Sequence, residues 1–153
     1  MCGRFVTTFD PEMIQRLFDL PDAPEIPERY NVTPTQPIYA VRMGQDGVRE
    51  SAYLQWGLIP SWAKDMSMGA RMINARSETV AEKPSFKAAF KRRRCIVPIT
   101  GFYEWQKVAG GKQPHFIRSV DGEPLALAAI WEVWTKGDEA YIESCALLTT
   151  DAN

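Results

Sequence analysis

Apolar residues recur at helical spacing near the start of the chain. Asp10 and Pro11 are typical of a helix start, because Asp caps the first turn and Pro suits the first helical position. The apolar positions that follow are Met13, Ile14, Leu17 and Phe18. Since these positions share one side of a helix, we predict an amphipathic helix whose apolar face belongs to the core.

Most of the remaining chain has the alternating pattern of β-strands. Residues 21–37 hold five prolines, so we expect an extended segment held by contacts with the rest of the domain. Strands are predicted at 38–43, 48–56, 95–99, 102–108, 115–120, 125–134 and 140–150. Turns are predicted at 44–47, 109–112, 121–122 and 136–138, which indicates successive hairpins.

A few helices accompany these strands. We interpret the residues after Trp62 as a polar loop ending at residues 74–78, with Ser77 as the candidate cap of a short helix. A second helix is predicted over 85–93, with its apolar residues inward. Hairpins following hairpins, with few helices, indicate an α+β fold with a largely antiparallel sheet. Residues 151–153 resemble the approach to a further helix.

Length and composition limit the class of protein. With 153 residues, 45% of them hydrophobic, the chain has the size of one globular domain. The amino terminus lacks the basic start and apolar middle of a secretory signal, and no apolar stretch reaches the roughly 18 residues of a membrane helix. We therefore expect a soluble, cytoplasmic protein with no membrane partner.

Cysteine and histidine usage argues against a metal site. The chain has three cysteines, at positions 2, 95 and 145, and one histidine, His115. No two cysteines have C-x-x-C spacing, and an odd, widely spaced set is untypical of a disulfide framework. Glycine-rich phosphate-binding loops are also absent from the sequence. We expect no metal and no cofactor, which leaves Cys, Asn, Glu, Arg and aromatic side chains for chemistry.

Charge is uneven along the chain although the formal net charge is −1. Residues 71–118 carry eleven Lys and Arg against three Asp and Glu, and the flanking segments are acidic. A clustered positive field attracts a polyanion to one face, which favours nucleic-acid binding. The alternative is that the run at 91–94 is a solvated helix end, where cations are favoured.

The most informative position is Cys2. If the initiator Met is removed, the mature chain begins with an α-amine and a thiol on adjacent carbons. Their ordinary pKa values are about 7.7–8.0 and about 8.5, so neither group needs a large pKa shift to react near neutral pH. The pair can condense with an aldehyde to an imine and close a thiazolidine ring, or attack an amide. The alternative is that Cys2 is merely a small second residue.

Two polar segments support a chemical role for Cys2. Glu104 lies in a predicted strand between large rings, where a partly desolvated carboxylate would suit proton transfer; the alternative is a surface Glu on the open face of a hairpin. Asn74 can orient an amine or an oxyanion, and Arg76 offers a planar fork for phosphate. Backbone capping by Asn74 or Ser77 is the alternative use of that segment.

Several blocks, in order, resemble one family. They are Met-Cys2-Gly-Arg4, Tyr30-Asn31-Val-Thr-Pro34-Thr-Gln36, Trp56-Gly-Leu-Ile-Pro-Ser-Trp62, Asn74-Ala-Arg76-Ser-Glu78, Gly101-Phe-Tyr-Glu104-Trp105 and Leu148-Thr149-Thr-Asp-Ala-Asn153. On these blocks the whole chain resembles the SRAP family, the SOS-response-associated peptidases. The resemblance implies a single SRAP domain over 1–153, with a barrel-like antiparallel core and flanking helices.

The resemblance also implies a sensor of abasic sites in single-stranded DNA. In that family the N-terminal cysteine condenses with the ring-opened sugar aldehyde and ends as a thiazolidine DNA–protein crosslink. Carried over, Cys2 is the nucleophile, Asn74 positions the reacting amine and sugar, and Glu104 transfers protons. The residues expected to contact DNA are Arg4, Asn31, Pro34, Trp62, Arg76, Lys83, Trp105 and Thr149. We expect a monomer. We also expect the protein to associate with the nucleoid when DNA is damaged.

The resemblance includes one departure. Family members continue past Asn153 into a segment whose histidine assists ring opening and crosslink reversal, and we expect this domain to be incomplete at that end. His115 does not match that histidine, and we interpret it as structural. Crosslinking would then depend on Cys2, Asn74 and Glu104, with reversal impaired.

Two other function classes remain open at this point. One is a cysteine peptidase or amidohydrolase of the N-terminal-nucleophile type, including self-processing. The other is a non-catalytic binder of single-stranded DNA, with salt-sensitive and fully reversible binding.

Overall fold

β-Strands form most of the structure, a computed structural model that describes residues 2–152. Within these residues the strands are β1 (Phe5–Thr7), β2 (Arg29–Val32), β3 (Pro37–Met43), β4 (Arg49–Trp56), β5 (Asn74–Arg76), β6 (Arg94–Ile99), β7 (Gly101–Val108), β8 (Gly111–Arg118), β9 (Leu125–Lys136) and β10 (Ala140–Thr149). The helices are α1 (Pro11–Phe18), α2 (Lys87–Arg92) and a 3₁₀ helix (Met66–Arg71).

Five of the strands close into a barrel. Their order is β4-β3-β6-β9-β10, with antiparallel neighbours, and β10 returns to pair with β4 in parallel. Ser144 lies opposite Gln55 and Cys145 opposite Trp56 in this closing ladder. Closure leaves these five strands without a free edge. The predicted α+β fold with a mainly antiparallel, barrel-like core is confirmed.

The barrel interior is filled by alternate residues of its strands. Trp56, Leu54 and Ile99 are among its fully buried side chains, and the Trp56 indole N–H donates to the carbonyl oxygen of Ile73 at 3.0 Å. Phe5 of β1 closes this core, with its ring centroid 4.9 Å from that of Trp56. Each large apolar side chain buried in this way contributes about 1.5–3 kcal/mol. The start of the chain is therefore tightly anchored at Phe5.

A second sheet has the order β2-β1-β7-β8. Phe5 of β1 lies opposite Val32 of β2 and Phe102 of β7, so one face of this sheet continues the barrel core. The predicted hairpin of β7 and β8 is confirmed, with a turn at Ala109 and Gly110. The extended segment predicted at 21–37 includes strand β2, which sequence reasoning did not separate from its surroundings.

Strand β5 contradicts the prediction of a polar loop ending near Asn74. Its three residues pair in parallel with β10, which places Leu147 opposite Asn74 and Thr149 opposite Arg76. A three-residue strand is too short to show alternation, and its partner lies more than 70 residues away in sequence, so local pattern could not identify it.

The predicted helices are confirmed with corrections. Asp10 caps α1, its carboxylate accepting from the backbone N–H of Glu12 at 3.1 Å. Ile14 is buried beside β3, but Leu17 is 49% exposed, so the prediction that Leu17 is core is wrong. Leu17 lies at the margin of the contact between α1 and β3, because an eight-residue helix can bury only a narrow stripe of its surface.

Helix α2 is shorter than the predicted 85–93, and Phe86 and Ala89 are buried as expected. Lys91 and Arg92 occupy its last turn, in agreement with the helix-end interpretation of the basic run. Ser77 caps no helix, because the residues after β5 form turns.

The hairpin predicted around residues 121–122 is wrong. A turn is present there, with Gly122 at φ +80°, but β8 before it pairs with β7 whereas β9 after it pairs with β6 and β10. The chain therefore passes from the second sheet into the barrel at this turn. Turn chemistry specifies a reversal of direction but not the strand that the chain then joins.

Gly57 ends β4 and leads the chain out of the barrel towards β5. Its φ is +131°, and a Cβ at this position would lie 2.4 Å from the carbonyl oxygen of Gly69. The backbone N–H of Gly57 donates to the carbonyl oxygen of Cys145 at 2.9 Å. Only glycine allows both this φ and this close approach of two backbones. This close approach of Gly57 to Gly69 sets the path of the segment that ends at Asn74.

We expect Gly57→Ala to lower the free energy of unfolding by about 2–5 kcal/mol, because it adds backbone strain to a steric clash. Urea unfolding followed by circular dichroism measures the change. Gly111→Ala is the control, since a Cβ there meets no atom within 4 Å. Equal stabilities of the two variants would contradict the proposed close contact.

Candidate active site around Cys2

Cys2 lies half-buried at the junction of the barrel and the second sheet. It packs against the barrel core, three residues before the buried Phe5. Because Phe5 is held between β2 and β7, the residues just before it have little freedom to move away from the barrel. The fold therefore places this thiol at a defined position.

Asn74 contacts Cys2 directly. Its side-chain Nδ2 donates to the backbone carbonyl oxygen of Cys2 at 3.1 Å. Its Oδ1 is buried and has no hydrogen-bond partner among residues 2–152. A buried acceptor without a donor costs about 1–3 kcal/mol, so this oxygen is suited to accept a hydrogen bond from a bound group or from an amine.

Glu104 is half-buried on β7, and its charge acts on the Cys2 thiol. Burial is the largest cause that raises the pKa of Cys2, to about 11, and the negative charge of Glu104 adds to it. A hydrogen bond from the backbone of Arg4 acts in the opposite direction. With Met1 in place, burial therefore keeps this thiol largely protonated near neutral pH. The expectation for the aminothiol that removal of Met1 would create stays a prediction.

The structure thus brings together the three residues that the sequence singled out for chemistry. Cys2, Asn74 and Glu104 come from the amino terminus, β5 and β7, which are distant in sequence. The cluster combines a thiol, an amide with one unused acceptor and a carboxylate in a partly desolvated position. Such a set can hold an amine, polarise a carbonyl adduct and move a proton.

Arg4 and Trp105 lie beside this cluster and contact each other. The Arg4 guanidinium carbon is 5.4 Å from the centroid of the Trp105 ring, a cation–π arrangement. Arg4 is exposed and Trp105 is 40% exposed. Both side chains can therefore reach a bound molecule.

Arg76 and Thr149 lie opposite each other where β5 and β10 end. The Arg76 guanidinium forms an ion pair with Asp151 at 2.9 Å, and both side chains are exposed. An exposed pair of this kind contributes only about 0–1 kcal/mol, so Arg76 can exchange Asp151 for a phosphate at little cost. Residues 151 and 152 have no regular secondary structure and Asn153 lies outside the described residues, so the approach to a helix predicted at 151–153 stays a prediction.

The other residues predicted to contact DNA come from three further segments. Asn31 is exposed on β2, and Pro34 follows in the turn before β3. Trp62 is 58% exposed in the segment after β4, and Lys83 is exposed in the turns before α2. These four residues lie outside the cluster of Cys2, Asn74 and Glu104. Their role in contacting DNA stays a prediction.

His115 lies on β8 directly opposite Glu104. It is exposed, and its Nε2 lies 3.1 Å from Oε1 of Gln106. The histidine is therefore close to the candidate site through strand register, which its position in the sequence did not indicate. Cys95 and Cys145 are buried in the barrel, where burial raises the pKa of Cys95 to about 12.

Two aromatic residues near the site were missed by sequence reasoning. Tyr103 lies with its ring centroid 6.3 Å from that of Trp105 and 5.1 Å from that of Phe116. Strand alternation in the β7–β8 hairpin could have identified them, because every second residue of a strand lies on one face and Tyr103 therefore shares a face with Trp105.

The described residues give no support for a metal centre or a membrane span. Residues 2–152 contain no cluster of three or more His, Cys, Asp or Glu side chains placed to hold a metal ion. No helix in this part of the chain combines the length and apolar character needed to cross a bilayer.

Comparison with known proteins identifies the family of this chain. The family model described as SOS response associated peptidase matches residues 1–153. The chain belongs to the SRAP family. This SRAP chain is 37% identical over 159 residues to abasic site processing protein YoaM of Bacillus subtilis, covering all of this chain and 69% of that protein. It is 34% identical over 147 residues to abasic site processing protein YedK of Escherichia coli, covering 92% of this chain and 64% of that protein.

Solved structures show the same fold. A protein from Bacteroides thetaiotaomicron superimposes on this SRAP chain with a TM-score of 0.86 and 28% identity, covering 99% of this chain and 69% of that chain. A protein from Bordetella bronchiseptica gives a TM-score of 0.85 and 26% identity, covering 99% of this chain and 73% of that chain.

We expect Cys2 to be alkylated by iodoacetamide about a hundredfold more slowly at pH 8 than an ordinary cysteine, because its raised pKa leaves little thiolate. The rate should rise about tenfold per pH unit and level off only near pH 11. Glu104→Gln should speed the reaction by removing a like charge, whereas Glu123→Gln, in an exposed turn, should not. Peptide mapping by mass spectrometry measures the rate; a plateau below pH 9 would contradict the burial argument.

Proposed function

We propose that this chain senses abasic sites in single-stranded DNA and links to them covalently through Cys2 after removal of Met1. Its relatives are named abasic site processing proteins, which supports a role in processing damaged DNA. The covalent step is what the resemblance to the SRAP family implies, and the geometry of Cys2, Asn74 and Glu104 supports it.

One observation carries the proposal. The Asn74 side chain donates to the Cys2 carbonyl oxygen while its own buried Oδ1 is left without a partner among the described residues. The Asn74 side chain thus binds the backbone of Cys2 and also offers its Oδ1 atom as a nearby hydrogen-bond acceptor. The α-amine of a processed Cys2 is on the same residue as the carbonyl that Asn74 holds, so its N–H groups are suited to fill that acceptor.

The reaction balances without a cofactor. The Cys2 amine attacks the C1′ aldehyde of the ring-opened sugar, and loss of one water forms an imine. The Cys2 sulfur then adds to the imine carbon, and the thiol proton ends on the nitrogen, which closes the thiazolidine ring. Because the thiol is protonated near neutral pH, this ring closure needs a proton carrier, and Glu104 is the carboxylate whose charge reaches the thiol.

Binding of the DNA needs other groups, since an abasic site has no base to read. We infer that Arg4 and Arg76 hold phosphates on either side of the lesion and that Trp105 stacks on a neighbouring base. Asn31, Pro34, Trp62, Lys83 and Thr149 are proposed to line the remaining path of the strand.

Intact-mass spectrometry after incubation with an abasic oligonucleotide tests the covalent step. Wild-type protein should lack Met1 and gain the mass of the oligonucleotide minus one water. Cys2→Ser retains the amine but has no thiol, so it should give an adduct only after borohydride reduction of the imine. Protein with a chemically blocked amino terminus should give none. A stable adduct of the blocked protein would disprove the proposed chemistry.

Asn74→Ala should slow adduct formation about 10- to 100-fold at saturating DNA, because the amine loses its alignment with the aldehyde. Asn74→Asp keeps an acceptor but loses the donor to Cys2, so we expect an intermediate rate. Single-turnover gels on denatured samples measure both. Ser77→Ala, in the turn just after β5, is the control and should react at the wild-type rate.

A further inference from the structure

The β7–β8 hairpin presents two faces of different chemistry. Residues directly opposite in the ladder share a face, and successive residues alternate. One face holds Glu104 and His115 and includes Phe102, which packs against the barrel core. The other face, here called the aromatic–basic face, consists of the cross-strand pairs Gly101 with Arg118, Tyr103 with Phe116, Trp105 with Pro114, and Lys107 with Lys112.

Large rings lie exposed on the aromatic–basic face. Trp105 is 40% exposed and Phe116 is 42% exposed, and the Tyr103 ring lies between them, 6.3 Å and 5.1 Å away between centroids. The ring of Phe116 is held over Gly101, where an added Cβ would approach it to 2.6 Å. The three rings therefore pack against one another, and the outer two, Trp105 and Phe116, keep an exposed part that can be contacted.

The charge of this face is entirely positive. Lys107 and Lys112 lie beyond the rings towards the hairpin tip, and Arg118 lies at the other end, opposite Gly101. None of the three has an acidic residue as its cross-strand neighbour. Exposed rings between cations are the features that bind single-stranded nucleic acid, with bases on the rings and phosphates on the cations.

The aromatic–basic face is continuous with the candidate site. Arg4 lies over the Trp105 ring at 5.4 Å, and its carbonyl oxygen accepts from the backbone N–H of Tyr103 at 2.9 Å. Arg4 is only two residues from Cys2. Arg4 therefore connects the segment that carries Cys2 to Trp105 and so to the rest of this face.

We propose that the aromatic–basic face binds the nucleotides that flank the lesion on one side, as single-stranded DNA. Bases stack on the exposed parts of Trp105 and Phe116, which the Tyr103 ring supports, and phosphates contact Lys107, Lys112 and Arg118. The inference rests on the proposed function for its link to the lesion, but the binding itself needs no covalent step. Duplex DNA is not the occupant, because paired bases are stacked on one another and leave no face free for the rings.

Equilibrium binding of an undamaged, fluorescein-labelled thymidine oligonucleotide of about 20 nucleotides tests the proposal by fluorescence anisotropy. Phe116→Ala should weaken binding about tenfold, because base stacking on the ring is lost. Ile117→Ala is the matched control: Ile117 is 41% exposed on the same strand but points to the opposite face. It should bind within twofold of wild type, roughly the scatter of neutral surface changes.

Phe116→Leu guards against a folding artefact, since leucine keeps an apolar contact over Gly101 but offers no ring for a base. It should unfold at the wild-type temperature and still bind several-fold more weakly. Equal affinities of Phe116→Leu, Ile117→Ala and wild type, or no binding of the oligonucleotide by wild type, would overturn the proposal.

Salt dependence tests the charged part of the face. The double variant Lys107→Gln with Lys112→Gln should reduce the slope of log K against log salt by about 1.4, since each phosphate contact on a single strand accounts for about 0.7. Lys87→Gln with Lys91→Gln, on α2, removes the same charge elsewhere and should leave the slope unchanged. Equal slopes for the two double variants would overturn the assignment.

The crosslinking assay separates this inference from the proposed function. Covalent adduct formation with unchanged affinity in the hairpin variants would refute only the flanking-strand surface. Weakened affinity in those variants, without any adduct from wild type, would refute only the abasic-site chemistry.

Discussion

Strand β10 is the element on which the arrangement of the site depends. It pairs with β9, closes the barrel on β4 and, further along, holds β5 in parallel. The backbone hydrogen bonds of one strand thus serve both the core and the position of Asn74. Because Phe5 is locked into the same core, the amino terminus and β5 have fixed relative positions, and the Asn74–Cys2 hydrogen bond can form without a large entropic cost.

Burial of Cys2 has a chemical consequence. The same packing that fixes the thiol also raises its pKa, so the thiol is a poor nucleophile near neutral pH on its own. In the proposed reaction, the first attack therefore belongs to the amine nitrogen and the ring closure to sulfur. Such an order makes the neighbouring carboxylate of Glu104 useful, since a proton must leave sulfur as the ring forms.

The β7–β8 hairpin separates two functions by strand alternation alone. Glu104 projects towards the chemistry, whereas its neighbours Tyr103 and Trp105 project to the opposite face. In our proposals, adjacent residues of β7 therefore serve different parts of one bound strand, the reacting sugar and the flanking bases. Strand β8 is exposed along its whole length, so both faces of the hairpin are accessible there.

Local pattern identified α1, most strands and the residue types of the site. Capping at Asp10, alternation and turn chemistry act over a few residues, so the sequence alone was sufficient for them. The family blocks identified Cys2, Asn74 and Glu104, although their roles remain proposals. Strand β5, the passage between sheets at residues 121–122 and the raised pKa of Cys2 were decided by tertiary structure. Each depends on which distant strand or core surface a residue meets, and long-range pairing and burial are properties of the packed chain, not of any local segment.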